Sequence, residues 1–128
     1  MKKLFATAAA ISMLATGAYA GGHLSGNVQD TFQWGNNNFS YTHQQGSNLS
    51  LTTQKSTAHP WQQGNDSYTY QKGTGNLSDT YQHGRGNLSV TDQWGKNNAS
   101  VTTQFGRNHT SFTTQIGGGN TSIVTQMD

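Results

Sequence analysis

Five histidines, a recurring Asn-x-Ser/Thr triplet and three tryptophans are the residues of this 128-residue chain that invite a chemical reading. His23, His43, His59, His83 and His109 stand at unrelated spacings with no carboxylate at ligand distance along the chain, and there is no cysteine, so no metal site and no cofactor is expected. Serine is abundant, yet no Gly-x-Ser-x-Gly elbow and no paired carboxylates occur, so the chain is not expected to be an enzyme. Trp34, Trp61 and Trp94 have basic neighbours and could stack on a sugar or a base, although Trp34 and Trp94 simply follow a repeated Gln. The triplets at Asn38, Asn48, Asn65, Asn76, Asn87, Asn98, Asn108 and Asn120 have the form of glycosylation acceptors. Their regular recurrence has a fuller explanation, because nearly all of them begin a longer phrase.

That phrase is Asn-x-Ser-x-Thr-x-Gln, written five times at a spacing of eleven between residues 76 and 126. It runs Asn76, Ser78, Thr80, Gln82; Asn87, Ser89, Thr91, Gln93; and Asn98, Ser100, Thr102, Gln104. His109, Ser111, Thr113, Gln115 follow, with His for Asn, and then Asn120, Ser122, Val124, Gln126, with Val for Thr. Traced backwards, the register gives Asn27, Gln29, Thr31, Gln33; Asn38, Ser40, Thr42, Gln44; Asn48, Ser50, Thr52, Gln54; and Asn65, Ser67, Thr69, Gln71. Gln closes all nine units, and Ser and Thr hold their positions in eight each. A fixed period marks a repeat architecture. Residues two apart share one face of a β-strand, so each unit is expected to be one strand.

Between units the link reads x-Gly-x-x, with Gly35, Gly46, Gly73, Gly84, Gly95, Gly106 and Gly117 each two places after Gln. Glycine there permits the positive φ that a tight reversal needs. Two strands and two turns make a rung of about 22 residues, and rungs stack in parallel at about 4.8 Å. The expected fold is all-β: a two-sheet parallel β-solenoid, cross-β and amyloid-like, of four and a half rungs, about 20 Å tall by that spacing. The unit spacings are eleven, ten, seventeen and then eleven throughout. Ser47 thus ends a short link, and residues 55–64, with the only Pro at position 60, are expected to bulge out as a loop. The regular stretch 76–126 is expected to fold and add to a stack most readily.

Two faces compete for the interior. Hydrophobic patterning alone would bury the alternate positions, which hold Leu49, Leu51, Tyr68, Tyr70, Leu77, Tyr81, Leu88, Val90, Val101, Phe112 and Ile123. That face also holds Asp30, Asp66, Asp79 and Asp92 and varies from unit to unit, whereas the Asn, Ser, Thr, Gln face hardly varies. Repetition therefore places the polar face inside. Identical amides stacked above one another hydrogen-bond as ladders, and small Ser beside Thr lets facing sheets approach with their polar groups satisfied. Asp79, Asp92, Arg85, Lys96 and Arg107 then fall on exposed strand positions and turns, where charges act as gatekeepers against premature aggregation. Arg85 and Arg107, twenty-two apart, should meet on neighbouring rungs.

Composition sets the remaining bounds. Only 30% of residues are hydrophobic and 9% charged, with 16 Gly, which suits neither an oil-drop core nor a charged coil. A net charge of +2 without a dense basic patch gives no reason to expect nucleic acid. Lys2 and Lys3, an apolar run over 4–14 and Ala18-Tyr19-Ala20 form a signal-peptide pattern, so residues 1–20 are expected to be removed on export. That run is too short to span a bilayer, and membrane insertion is not expected. Residues 21–26 read as a flexible lead-in, and 27–128 as one repeat domain.

Gln-x-Gly-x-x-Asn-x-Ser-x-x-x-Gln, as in Gln93-Trp94-Gly95-Lys96-Asn97-Asn98-Ala99-Ser100 through Gln104, resembles the curlin repeat, in which the Ser position is usually Ala. The resemblance covers residues 33–126 apart from the 55–64 insertion, together with the signal peptide. It implies a curli fibre subunit: a secreted bacterial functional amyloid that polymerises at the cell surface, as a fimbrium of the biofilm matrix, and mediates adhesion. The partners it implies are further copies of the chain, a nucleator subunit, a periplasmic chaperone and an outer-membrane secretion pore. The family's ladder residues carry over as Asn76, Gln82, Asn87, Gln93, Asn98, Gln104, Gln115, Asn120 and Gln126. The departures are Ser for Ala, His109 for Asn, and the insertion. The last unit ends Thr125-Gln126-Met127-Asp128 and lacks the basic character of many nucleators, which favours the major subunit over the minor one. An ice-binding solenoid is the alternative from another class, through outward Thr53, Thr103, Thr114 and Thr125, but Tyr68, Tyr70, Tyr81 and Phe112 interrupt a flat Thr surface.

Overall fold

The computed structural model describes residues 26–128; the expected signal peptide and all but the last residue of the lead-in lie outside them. Seven strands follow in order: β1 (Val28–Trp34), β2 (Phe39–Ser56), β3 (Asp66–Arg85), β4 (Leu88–Lys96), β5 (Ala99–Arg107), β6 (Thr110–Gly118) and β7 (Thr121–Met127). β2 and β3 each carry two repeat units around a corner, so the seven elements contain the nine expected strands. Every pairing is parallel.

The register follows the repeat. Leu77 pairs with Ala99 and Ala99 with Thr121, a step of 22 residues. Steps in the first half differ because the links differ: Val28 pairs with Leu49, Phe39 with Asp66 and Leu49 with Leu77. A register shift between Ser47 and Leu49 absorbs the short link. Alternate units therefore build two walls: β1, the second arms of β2 and β3, β5 and β7 form one of five strands, while the first arms of β2 and β3, β4 and β6 form one of four. The result is the expected β-solenoid, with no helix among the described residues.

Two residues make most of the corners. The turn glycines all have positive φ, up to +130° at Gly95. Conformation is half of the reason for glycine: a Cβ on Gly95 would lie 1.8 Å from the Gly117 carbonyl oxygen one rung away. The position before the ladder Asn is also left-handed, at Asn37, Asn97 and Asn108 (φ 56–58°) and at Gly75, Gly86 and Gly119. Asn and Gly are the residues that enter this region at least cost.

The polar face is the interior. Asn65, Asn76, Asn87 and Asn98, with Gln54, Gln71, Gln82, Gln93 and Gln104, are at most 1% exposed, and Ala58 is the one buried hydrophobic residue among those described. Leu, Tyr, Val and Phe occupy the outer face, where Phe39 and Tyr68 (5.4 Å between ring centres) and Tyr81 and Phe105 (5.3 Å) pack along the stack.

Two expectations need correction. Most buried Ser and Thr hydroxyls do not bond to other protein groups: Ser50, Thr52, Ser67, Thr80, Ser89, Thr91, Ser100 and Thr102 are among those without a protein partner. Their side chains are too short to reach the next copy about 4.8 Å along the stack, and facing hydroxyls come within 3.5 Å only at Thr69 and Ser78 among the described residues. The insertion is also shorter than 55–64. Lys55 and Ser56 stay in register with His83 and Gly84, and the chain departs only after Thr57, whose N–H donates to the Gly84 carbonyl at 2.9 Å. Asn36 holds the Ala58 carbonyl at 3.1 Å, Asn37 those of Pro60 (2.9 Å) and Gln62 (2.7 Å), and Trp61 projects into solvent.

Candidate assembly site: amide ladders and open ends

Two glutamine ladders run the length of the solenoid. In the five-strand wall the Nε2 of Gln33 donates to Gln54 (2.6 Å), Gln54 to Gln82 (2.9 Å), Gln82 to Gln104 (2.8 Å) and Gln104 to Gln126 (2.8 Å). In the four-strand wall Gln44 donates to Gln71 (2.7 Å), Gln71 to Gln93 (2.8 Å) and Gln93 to Gln115 (2.7 Å). The second amide hydrogen crosses the interior to a backbone carbonyl of the opposite wall, from Gln82 to Asp66, Gln93 to Leu77 and Gln104 to Leu88. That carbonyl can only accept, so it fixes which end of each amide is nitrogen and hence the ladder's direction. Each ladder donates toward the C-terminal end. The same bonds tie the two walls together.

The asparagine ladders run the other way. Asn98 donates through both its backbone N–H (3.2 Å) and its Nδ2 (3.1 Å) to Oδ1 of Asn76, and Asn120 does the same to Asn98 (3.1 Å each). Asn48 to Asn27, Asn76 to Asn48, Asn65 to Asn38 and Asn87 to Asn65 complete the set. Asn76, Asn87 and Asn98 also spend Nδ2 on the carbonyl four residues earlier and on the turn-glycine carbonyl nineteen later, as Asn87 does with His83 (3.4 Å) and Gly106 (3.2 Å).

His109 and Asp128 reproduce that pair of bonds with different atoms. His109 Nε2 lies 2.8 Å from the Phe105 carbonyl, four residues earlier, and 3.0 Å from Asp128 Oδ1, nineteen later. Asp128 stands where the other units have the turn glycine, and it also accepts the Arg107 backbone N–H at 3.2 Å. Both partners of Nε2 are acceptors, so Nε2 carries a proton. The histidine hydrogen bond, with help from the Arg107 N–H, holds the Asp128 carboxyl below its usual range.

No family model and no curated protein matches this chain. Its chemistry must therefore be read from these bonds, and they stop unfinished at both ends. Among the described residues Oε1 of Gln33 and of Gln44 accepts nothing, Gln115 and Gln126 each keep one amide hydrogen unspent, and no element covers the edge strands. β1 and the first arm of β2 form one open end, and β6 and β7 the other.

The charged residues expected as gatekeepers all lie on the outside. Asp79 stacks between Leu51 and Val101, and Asp66 between Phe39 and Leu88; burial beside these apolar neighbours raises both carboxyls above their usual range. Asp92 accepts from the Trp94 indole, and Lys72 lies over the same ring at 5.4 Å. Lys96 sits in an exposed corner beside Gly118. Arg85 and Arg107 pair in register as expected, and Arg85 turns its guanidinium to Gln62 of the insertion at 2.7 Å. Every ladder residue expected from sequence lies on the inner face.

Sequence reasoning missed the left-handed position that precedes most inner-face Asn positions and the acceptor Asp128. The first had a signal in the Asn-Asn and Gly-Asn pairs that open most units. The second could have been found by extending the turn-glycine register one step beyond Gly117 and noticing Asp there.

Proposed function

We propose that the chain is a structural subunit that adds end to end, by strand pairing, into extracellular curli-like functional amyloid fibres of a biofilm matrix. The observation that carries this reading is the pair of open ends: edge strands with unpaired backbone groups, continued by amides whose hydrogen-bonding capacity is half used. Such edges template another strand. A polar interior that changes little from unit to unit, with an apolar exterior, also suits a fibre, in which lateral contacts cover outer aromatics. The reading includes export, a nucleator, a chaperone and a secretion pore as the partners that the curlin resemblance implies, and the major-subunit role. The ice-binding alternative needs a flat Thr array, and Tyr81 stands in register between Thr53 and Thr103.

The test is fibre diffraction from the purified chain after removal of residues 1–20. Filaments with reflections at about 4.7 and 10 Å are expected. A stable monomer at high concentration would overturn the proposal.

A further inference from the structure

Resting on the assembly reading above, we infer that successive copies join head to tail with a half-turn about the fibre axis, because the described residues of each solenoid form nine strands, five in one wall and four in the other. The direction of stacking comes from the ladders. The C-terminal end offers unspent amide hydrogens on Gln115 and Gln126, and the N-terminal end offers unspent carbonyl oxygens on Gln33 and Gln44. Head-to-head contact would set oxygen against oxygen or hydrogen against hydrogen, and would reverse the parallel pairing that holds throughout the chain.

The half-turn comes from the strand count. The two walls are offset by half a rung, so a solenoid of nine strands ends with β6 in one wall and β7 in the other. Rotation by half a turn lays β1 of the next copy on β6 and the first arm of its β2 on β7. Both walls then continue without a gap, and every joint pairs two strands. Without rotation β7 meets β1, and the other wall is left with a gap of one strand whose backbone groups have no partners.

With the half-turn, Gln115 donates to Gln33 of the next copy and Gln126 to its Gln44. Oδ1 of Asn120 receives Asn38, as Asn98 receives Asn120 within the chain. Asn27 arrives over His109. With the ring proton on Nε2, between Phe105 and Asp128, Nδ1 is the ring atom left to accept, borne on Cγ as Asn bears Oδ1. The corner insertions around Trp61 then emerge on alternate sides of the fibre, and the subunit rise is about 22 Å, four and a half strand spacings.

Cysteine pairs on the outer face read the joint. With the half-turn, Ile123 stacks on Tyr41 of the next copy; without it, Ile123 stacks on Asp30. Neighbouring parallel strands bring Cα atoms about 4.8 Å apart, within the reach of a disulfide. The chain carrying Ile123→Cys with Tyr41→Cys, and separately Ile123→Cys with Asp30→Cys, is assembled with and without residues 1–20 and then oxidised. Denaturing gels under non-reducing conditions should show covalent multimers for the first pair and monomer for the second. Filaments that cross-link through Asp30→Cys, or through neither pair, overturn the half-turn while leaving end-to-end assembly standing. Absence of filaments in the unsubstituted chain overturns the assembly reading itself. Filament images should show a half-turn at each rise of about 22 Å; a rise without rotation contradicts the inference.

Discussion

Residues 27–71 and residues 76–126 depart from the repeat in opposite ways. The first stretch varies the length of its links, with one residue missing near Ser47 and six added after Ser56, yet its ladders pass unbroken from Gln33 to Gln54 and from Gln44 to Gln71. The second keeps its spacing but changes side-chain type, at His109 and Val124, and at His109 the bonding pattern is remade with new atoms, those of Asp128 just beyond the stretch. Link length is absorbed outside the walls, where a corner can bulge. Residue type inside the walls sets the hydrogen bonds and has little freedom. The stack therefore tolerates insertions more readily than substitutions.

The largest test of this contrast changes type at the centre. Gln82→Ala strips buried bonds from Gln54 and Gln104 and a part-buried one from the Asp66 carbonyl, and should cost about 3 kcal/mol by chemical denaturation. Gln33→Ala at the open end should cost under about 1 kcal/mol, and equal losses would break the account. Gly95→Ala combines a φ of +130° with the Gly117 carbonyl 1.8 Å from the new Cβ, so a loss of about 2–3 kcal/mol is expected. Gly117→Ala meets nothing closer than 3.8 Å and should cost about 1 kcal/mol, all of it from conformation.

Smaller effects sharpen the comparison. His109→Leu loses the Phe105 and Asp128 bonds and should lower stability by about 1 kcal/mol, whereas His109→Asn restores the repeat and should stay within about 0.5 kcal/mol of the parent. Replacing residues 55–64 with a copy of 94–97 changes only a link, and its midpoint should move by less than about 1 kcal/mol. The smallest effect is on pH. Asp66 and Asp79 have folded-state carboxyls raised by burial, so the folded state binds protons first, and stability should rise as pH falls through the raised values toward the ordinary one. Asp79→Asn should flatten that rise. Asp128 acts in the other sense: its lowered carboxyl contributes above the ordinary range, and the contribution is lost as pH falls through the folded value, weakly because the group is exposed.

The walls and corners were legible in the sequence because period two and turn glycine are local signals, and each recurs often enough to fix the register. The buried polar face was legible from repetition, against the hydrophobic pattern, since Gln54 through Gln104 vary less than the outer residues beside them. Ladder direction was not legible: an amide drawn on a strand has no preferred end until the opposite wall supplies a carbonyl, as Asp66 does for Gln82. The hydroxyls of Ser and Thr were misjudged because satisfaction depends on reach across and along the stack, which spacing does not give. The role of Asp128 was hidden because its partner, His109, lies one rung away rather than nearby in the chain.

Seeded elongation of the Gln33→Ala, Gln44→Ala double variant tests the account most directly. Both side chains lie at the open N-terminal end, where each is the first rung of its ladder and donates one amide bond inward, to Gln54 and Gln71, so the variant should remain a folded solenoid of slightly lower stability and elongate parent seeds markedly more slowly. Elongation at the parent rate by the folded variant would contradict the claim that the glutamine ladders carry the joint between copies.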